Sequence, residues 1–140
     1  MPHDHDVDWI LRHCRTVAVV GLSPRPERDS HRVARYMQTQ GWRVVPVNPV
    51  AAGQTILGEP VYPSLTEAAR HARIELVDCF RNSADIPPVV DEAIAIGAQA
   101  VWMQLGVEHA QAADRARNAG LRVVQNRCLM IDHAQHQNHE

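Results

Sequence analysis

The sequence predicts an α/β fold, doubly wound, with a mainly parallel sheet and helices on both faces. Three observations predict it. Short apolar runs recur at 17–20, 43–47, 75–80, 100–104 and 121–125. Between successive runs lie stretches with apolar residues at helical spacing, long enough to carry the crossover that parallel strands require. Gly41, Gly97 and Gly120 stand where those helical stretches should stop. Strand and helix signals therefore alternate, the pattern of a parallel sheet covered on both faces.

Each element has its own justification. Val7, Ile10, Leu11 and Cys14 share one helical face, so a short leading helix is expected over 7–14. Val17-Ala18-Val19-Val20 is the first buried strand. Ser30 is the expected cap of a helix running to about Gln40, with Val33, Ala34 and Met37 on its inner face. The second strand, 43–47, contains Pro46, which cannot donate to a ladder; this strand should lie near an edge or be locally irregular. The Gly- and Pro-rich stretch 50–63 reads as a long connection with, at most, a very short strand over 60–62. Ser64-Leu65-Thr66-Glu67 is a capping-box pattern that starts a helix to about Ala72. The strand at 75–80 follows, then a helix over 85–96 with Pro87 and Pro88 in its first turn. After the strand at 100–104, a loop leads into a helix ending at Ala119, with His109 in its first turn. The last strand is 121–125, and 128–133 reads as a final helical turn or two. Residues 1–6 and 134–140 read as flexible tails of a single domain spanning 1–140.

Composition narrows the function classes. The chain has 140 residues and a net charge of −2, which gives no general attraction to nucleic acid or to a membrane surface. All 14 basic residues are arginine, so Schiff-base and Walker-type lysine chemistry is absent. Cys14, Cys79 and Cys128 are odd in number and form no CxxC, which fits a reducing compartment. No apolar run approaches the roughly 18 residues a membrane span needs. The protein reads as cytoplasmic. His3, His5, His133, His136 and His139 invite a metal reading, but they sit in two terminal polar clusters without an accompanying inward-facing carboxylate or cysteine; no metal site is assigned.

A doubly wound sheet places its ligand crevice at the carboxyl ends of the strands. The loops to read are therefore 21–29, 48–58, 80–85, 104–109 and 125–128. The first is neither a dinucleotide fingerprint nor a Walker loop. Gly21 is followed by Leu22, Ser23 and Pro24 rather than by further glycines, and Asn48-Pro49 stands where a ribose-binding carboxylate is usual. What it offers is a phosphate site. Ser23 and Ser30 supply hydroxyls, Arg25 and Arg28 supply guanidinium forks, and a helix N-terminus supplies free amides. Gln104 is a further candidate, being polar at a strand end. Trp102 reads as packing. Cys128 reads as a small buried hydrophobe, with a reactive thiol as the alternative.

Five blocks in order, GLSPRPERDSHRVARYM, GWRVVPVNP, DCFR, AVWMQLGV and AGLRVVQNRC, resemble the small stand-alone coenzyme A-binding proteins, whose single domain is similar to the coenzyme A-binding domain of succinyl-CoA synthetase alpha subunits. The resemblance covers about 7–133. It implies a Rossmann-like sheet with coenzyme A or an acyl-CoA bound across its switch point. Carried onto this chain, it implicates Gly21, Ser23 and Pro24 in the first turn and Arg28 and Ser30 near the phosphates. Val47, Asn48 and Pro49 fall beside the adenosine, Phe80 and Arg81 after the middle strand, and Gln104 and Gly106 in the W-x-Q-x-G block. Arg127-Cys128 matches the terminal R-C. The chain departs from the family pattern at Asn126, where an acidic residue is frequent, and at Asp132-His133, where Glu-His is frequent.

No nucleophile–base–orienter set is legible, so no catalytic residue is assigned. The first reading is a binding protein for coenzyme A or acyl-CoA. The alternative is a small NAD(P)-linked oxidoreductase, or an acyl-CoA ligase component acting with a partner chain. Association as a homodimer or with a partner enzyme stays open.

Overall fold

The computed structural model describes residues 2–138. Helix α1 (Pro2–His13) leads into strand β1 (Thr16–Val20), helix α2 (Asp29–Thr39) and strand β2 (Arg43–Val47). A small hairpin of β3 (Thr55–Ile56) and β4 (Glu59–Pro60) precedes the four-residue helix α3 (Leu65–Ala68). Then come β5 (Leu76–Cys79), a 3₁₀ turn (Ser83–Asp85), α4 (Ile86–Ala95), β6 (Ala100–Met103), α5 (Ala110–Asn118), β7 (Arg122–Val124) and α6 (Leu129–Asn138).

Five strands form one parallel sheet in the order β2-β1-β5-β6-β7. Alternation along each strand divides the core in two. Ala18, Val20, Val77, Cys79, Val101 and Met103 pack under α3, α4 and α5. Val17, Val19, Leu76, Ala100 and Trp102 pack under α1, α2 and α6. The predicted α/β doubly wound, Rossmann-like sheet is the observed one. Trp102 is fully buried, and its indole N–H donates to the Arg127 carbonyl at 2.9 Å.

Pro46 lies on the edge strand, as its missing N–H requires. Its carbonyl accepts from the Tyr62 amide at 3.0 Å, and Tyr62 forms an isolated parallel bridge with Val47. The long connection before it differs from expectation. It folds into the β3–β4 hairpin, whose turn uses left-handed conformations at Leu57 (φ 54°) and Gly58 (φ 79°). Leu57 at such a position carries no sequence signal, because left-handed turns favour Gly or Asn.

Helix α1 begins at Pro2 and α6 runs to Asn138. Side-chain contacts join α6 to α1 and α2. His136 Nε2 lies 3.0 Å from an Asp8 carboxylate oxygen, and His133 Nδ1 lies 2.9 Å from the Tyr36 hydroxyl. The parts of the tail and metal readings that rest on Met1, on the His3 side chain and on His139 and Glu140 lie outside the described residues.

Candidate functional site

The chain runs from β1 through α2 to β2 on one side of the sheet, and from β5 through α4 to β6 on the other. The loops leaving β1 and β5 therefore part company at adjacent strand ends, which defines a switch point. Gly21 sits in it at φ 89°. A Cβ there would stand 2.4 Å from the Phe80 carbonyl oxygen, so only hydrogen fits between the two loops. The Gly21 amide donates to Val47 at 2.8 Å and the Phe80 amide to Val20 at 2.9 Å, tying three strand ends together.

A cavity of about 380 Å³ opens above this point, lined by Gly21, Ser23, Arg25, Arg28, Asp29, Ser30 and Phe80. Helix α2 presents its N-terminus here without any side-chain cap. Ser30 is not the cap that the sequence predicts. The helix starts two residues earlier, with Arg28 in the cap position, and the Ser30 hydroxyl accepts from the Ser23 amide at 3.0 Å. The Ser23 hydroxyl in turn accepts from the Arg25 amide at 3.1 Å. Both hydroxyls are thus used as acceptors, and each keeps its O–H to donate. The amides of the first turn of α2, left without a cap, add donors and the positive end of the helix dipole.

Charge in the cavity is mixed. Arg28 and Arg81 form no ion pair among the described residues. Arg25 stands 3.5 Å from Glu27, an exposed and weak pairing. Asp29 pairs with Arg32 one turn along α2, which offsets its carboxylate at the cavity. His31, buried next to them, holds Ser23 in place. Its Nδ1 is 3.0 Å from the Ser23 carbonyl, an acceptor only, so Nδ1 carries the proton. Asp29 and His31 carry no sequence signal beyond their position in the first turn of the helix that opens on the loop.

Two further cavities flank the first. One, of about 290 Å³, lies on the α3–α4 side and is lined in part by Val47, Pro49, Leu65, Arg81 and Glu92. The other, of about 280 Å³, lies between α2, the ends of β5 and β6, and α6; Phe80, Gln104, Leu105, Cys128 and Ile131 are among its walls. It shares Asp29 and Phe80 with the central cavity.

Most predicted site residues are brought together at these three openings. Pro24, Asn48 and Gly106 line none of them. Pro24 is exposed on the loop. Asn48 works inside the fold: its Nδ2 donates to the Leu22 carbonyl at 2.9 Å and its Oδ1 accepts from the Val50 amide at 3.0 Å, bracing the first loop against the second. The Gly106 amide donates to Asn126 Oδ1 at 2.8 Å, and Asn126 occupies the left-handed region at φ 56°, where asparagine is well tolerated. Asp132 is buried and clamps Arg127 through two bonds of 2.6 and 2.8 Å. The residues that depart from the family pattern therefore hold the loop after β7.

Among the cysteines, burial pushes the Cys14 thiol up to about 12 and the Cys79 thiol higher still. Both are inert by that measure. Cys128 is half-buried on a cavity wall, packed against the core on the α1, α2 and α6 face, rather than fully buried as predicted. Asp78 is unusual. It is fully buried in the central strand, and neither carboxylate oxygen has a hydrogen-bond partner. Burial pushes its pKa well above the usual carboxylate range, which keeps it a neutral acid.

The sheet order and the open switch point define a single Rossmann-like α/β domain. A family model described as the CoA binding domain matches residues 15–134, and the chain belongs to that family. It is 34% identical over 133 residues to "Uncharacterized protein YneT" of Bacillus subtilis (strain 168), covering 95% of this chain and 96% of that one. A Thermus thermophilus structure described as cell-free ID.343 superposes with a TM-score of 0.87 at 33% identity, over 94% of this chain and 97% of that chain. A hypothetical protein from Pyrococcus horikoshii OT3 gives 0.86 at 38% identity, over 94% and 90%. None of the described helices is long and apolar enough to cross a membrane.

Proposed function

We propose that the protein binds coenzyme A or an acyl-CoA in the cytoplasm and carries no catalysis of its own. The observation that carries this reading is the central cavity on the uncapped N-terminus of α2, where Ser23, Arg25, Arg28 and Ser30 converge above Gly21. Amide donors, hydroxyls and guanidinium groups around one opening suit a group with several phosphate oxygens. Membership of the CoA binding domain family supports coenzyme A as the bearer of those phosphates. The flanking cavity beside Val47, Pro49 and Arg81 then takes the adenosine. Against a nicotinamide dinucleotide stands Asn48, whose amide is engaged with Leu22 and Val50 at the position where a ribose-binding carboxylate is usual.

Isothermal titration of purified protein with coenzyme A, NAD and ATP tests the reading. Coenzyme A should bind in the micromolar range, with NAD and ATP much weaker. Arg28→Ala should weaken coenzyme A binding by about ten- to a hundredfold, the loss of one charge-assisted hydrogen bond. Preference for NAD, or no binding of coenzyme A, would contradict it.

A further inference from the structure

The cavity beside the phosphate site is of a different kind from the other two. Of its nine lining residues, Val33, Phe80, Leu105, Cys128, Met130 and Ile131 are apolar. Its two charged residues, Asp29 and Arg32, pair with each other. Leu105 and Ile131 are 63% and 48% exposed, large apolar side chains left uncovered on a surface that has few of them. Gln104 lines the same cavity while only 3% exposed. Its Oε1 accepts from the Leu129 amide at 3.0 Å, which fixes the side-chain orientation and leaves the Nε2 hydrogens to be offered at the cavity wall.

We propose that the protein takes the acyl thioester of coenzyme A in preference to the free thiol, with a short aliphatic acyl group in this cavity. The proposal rests on the coenzyme A reading above. The geometry supplies three parts of the argument. Phe80 and Asp29 belong to both cavities, so a ligand whose phosphates sit on α2 can continue directly into the apolar one. The walls offer an acyl chain apolar surface on α2, α6 and the loop after β6. Gln104 Nε2 offers a hydrogen bond to the carbonyl oxygen that acylation adds next to the sulfur, beyond the pantetheine amide carbonyls that both forms share. The opposite flank, with Ser64, Arg81, Asp85 and Glu92 among its walls, suits the polar adenosine end instead.

Titration calorimetry with free, acetyl-, propionyl-, butyryl- and hexanoyl-coenzyme A tests this. A reductant is kept present so that free coenzyme A cannot form a mixed disulfide with Cys128. Affinity should rise about three- to fourfold per methylene until the cavity is full. In Leu105→Ser and Ile131→Ser, both surface substitutions, the ratio of butyryl- to free-coenzyme A affinity should fall toward one. If coenzyme A binds and the acyl forms bind equally or more weakly, the acyl proposal fails and the coenzyme A reading stands. If none of them binds, both fail. If wild type sediments as a dimer that Leu105→Ser dissociates, a second copy covers the cavity and the acyl proposal is overturned.

Discussion

Asp78 shows how far one residue can set the pH response of this fold. It lies in the central strand, opposite Val19 on one side and Trp102 on the other, with both carboxylate oxygens unpartnered. In the folded protein it is neutral; in the unfolded chain it ionises with an ordinary pKa near 3.8. Between that pKa and the raised folded value, the unfolded chain binds fewer protons than the native state. Stability should therefore fall as pH rises from about 4, by up to about 1.4 kcal/mol per pH unit for this group. Urea denaturation of wild type and Asp78→Asn across that range checks it: wild type should gain stability relative to the variant on acidification, and a pH-independent difference would refute the neutral-acid assignment. At this same scale some of the candidate site's geometry was legible in the sequence. Ser23, Arg25 and Arg28 line one cavity because a strand and a helix bracket the loop that carries them. Asn48 and Gln104 were legible as polar residues at strand ends, but not in their work: both serve the fold through hydrogen bonds to backbone far along the chain.

Helix α6 is the element least predictable from its own sequence. Its residues LMIDHAQHQN hold no clear apolar stripe, and the sequence reading stops at His133. Tertiary bonds extend it. Asp132 grips Arg127 across the helix start, His133 meets Tyr36 of α2, and His136 meets Asp8 of α1. Burial holds the His133 pKa below its ordinary value, so it sits neutral against Tyr36. Asp132→Ala removes the buried half of the clamp and leaves Arg127 partly buried. It should cost about 1–3 kcal/mol and speed amide exchange across α6 far more than across β1 or β5. Equal acceleration everywhere would mean that α6 is docked by apolar packing alone. The contrast with α2 is instructive. There Val33, Ala34 and Met37 repeat at helical spacing and are buried as predicted, and Gly41 follows the helix in a left-handed conformation. Local pattern suffices where a helix buries its own stripe, and fails where distant side chains hold it.

For the whole molecule, alternation of strands and helices was enough to predict the parallel, two-faced sheet. The strand order β2-β1-β5-β6-β7 then follows from crossovers that leave β1 and β5 in opposite directions. That divergence is what opens the central cavity over Gly21, and it sets a different flanking cavity on each side. On the proposed reading, the adenosine end and the thiol end of coenzyme A lie on opposite sides of the central cavity. Which loops gather at the strand carboxyl ends was legible from topology. The character of each cavity was not, since it depends on α3, α4 and α6 reaching over the strand ends. The most direct measurement is a ¹⁵N–¹H chemical-shift titration of the whole protein with coenzyme A. The largest shifts should fall on Leu22, Ser23, Asp29, Ser30 and His31, with smaller ones at Val47, Phe80 and Arg81. Shifts centred instead on the α1–α6 side, around Arg15 and His136, or none at all, would contradict a phosphate site at the switch point.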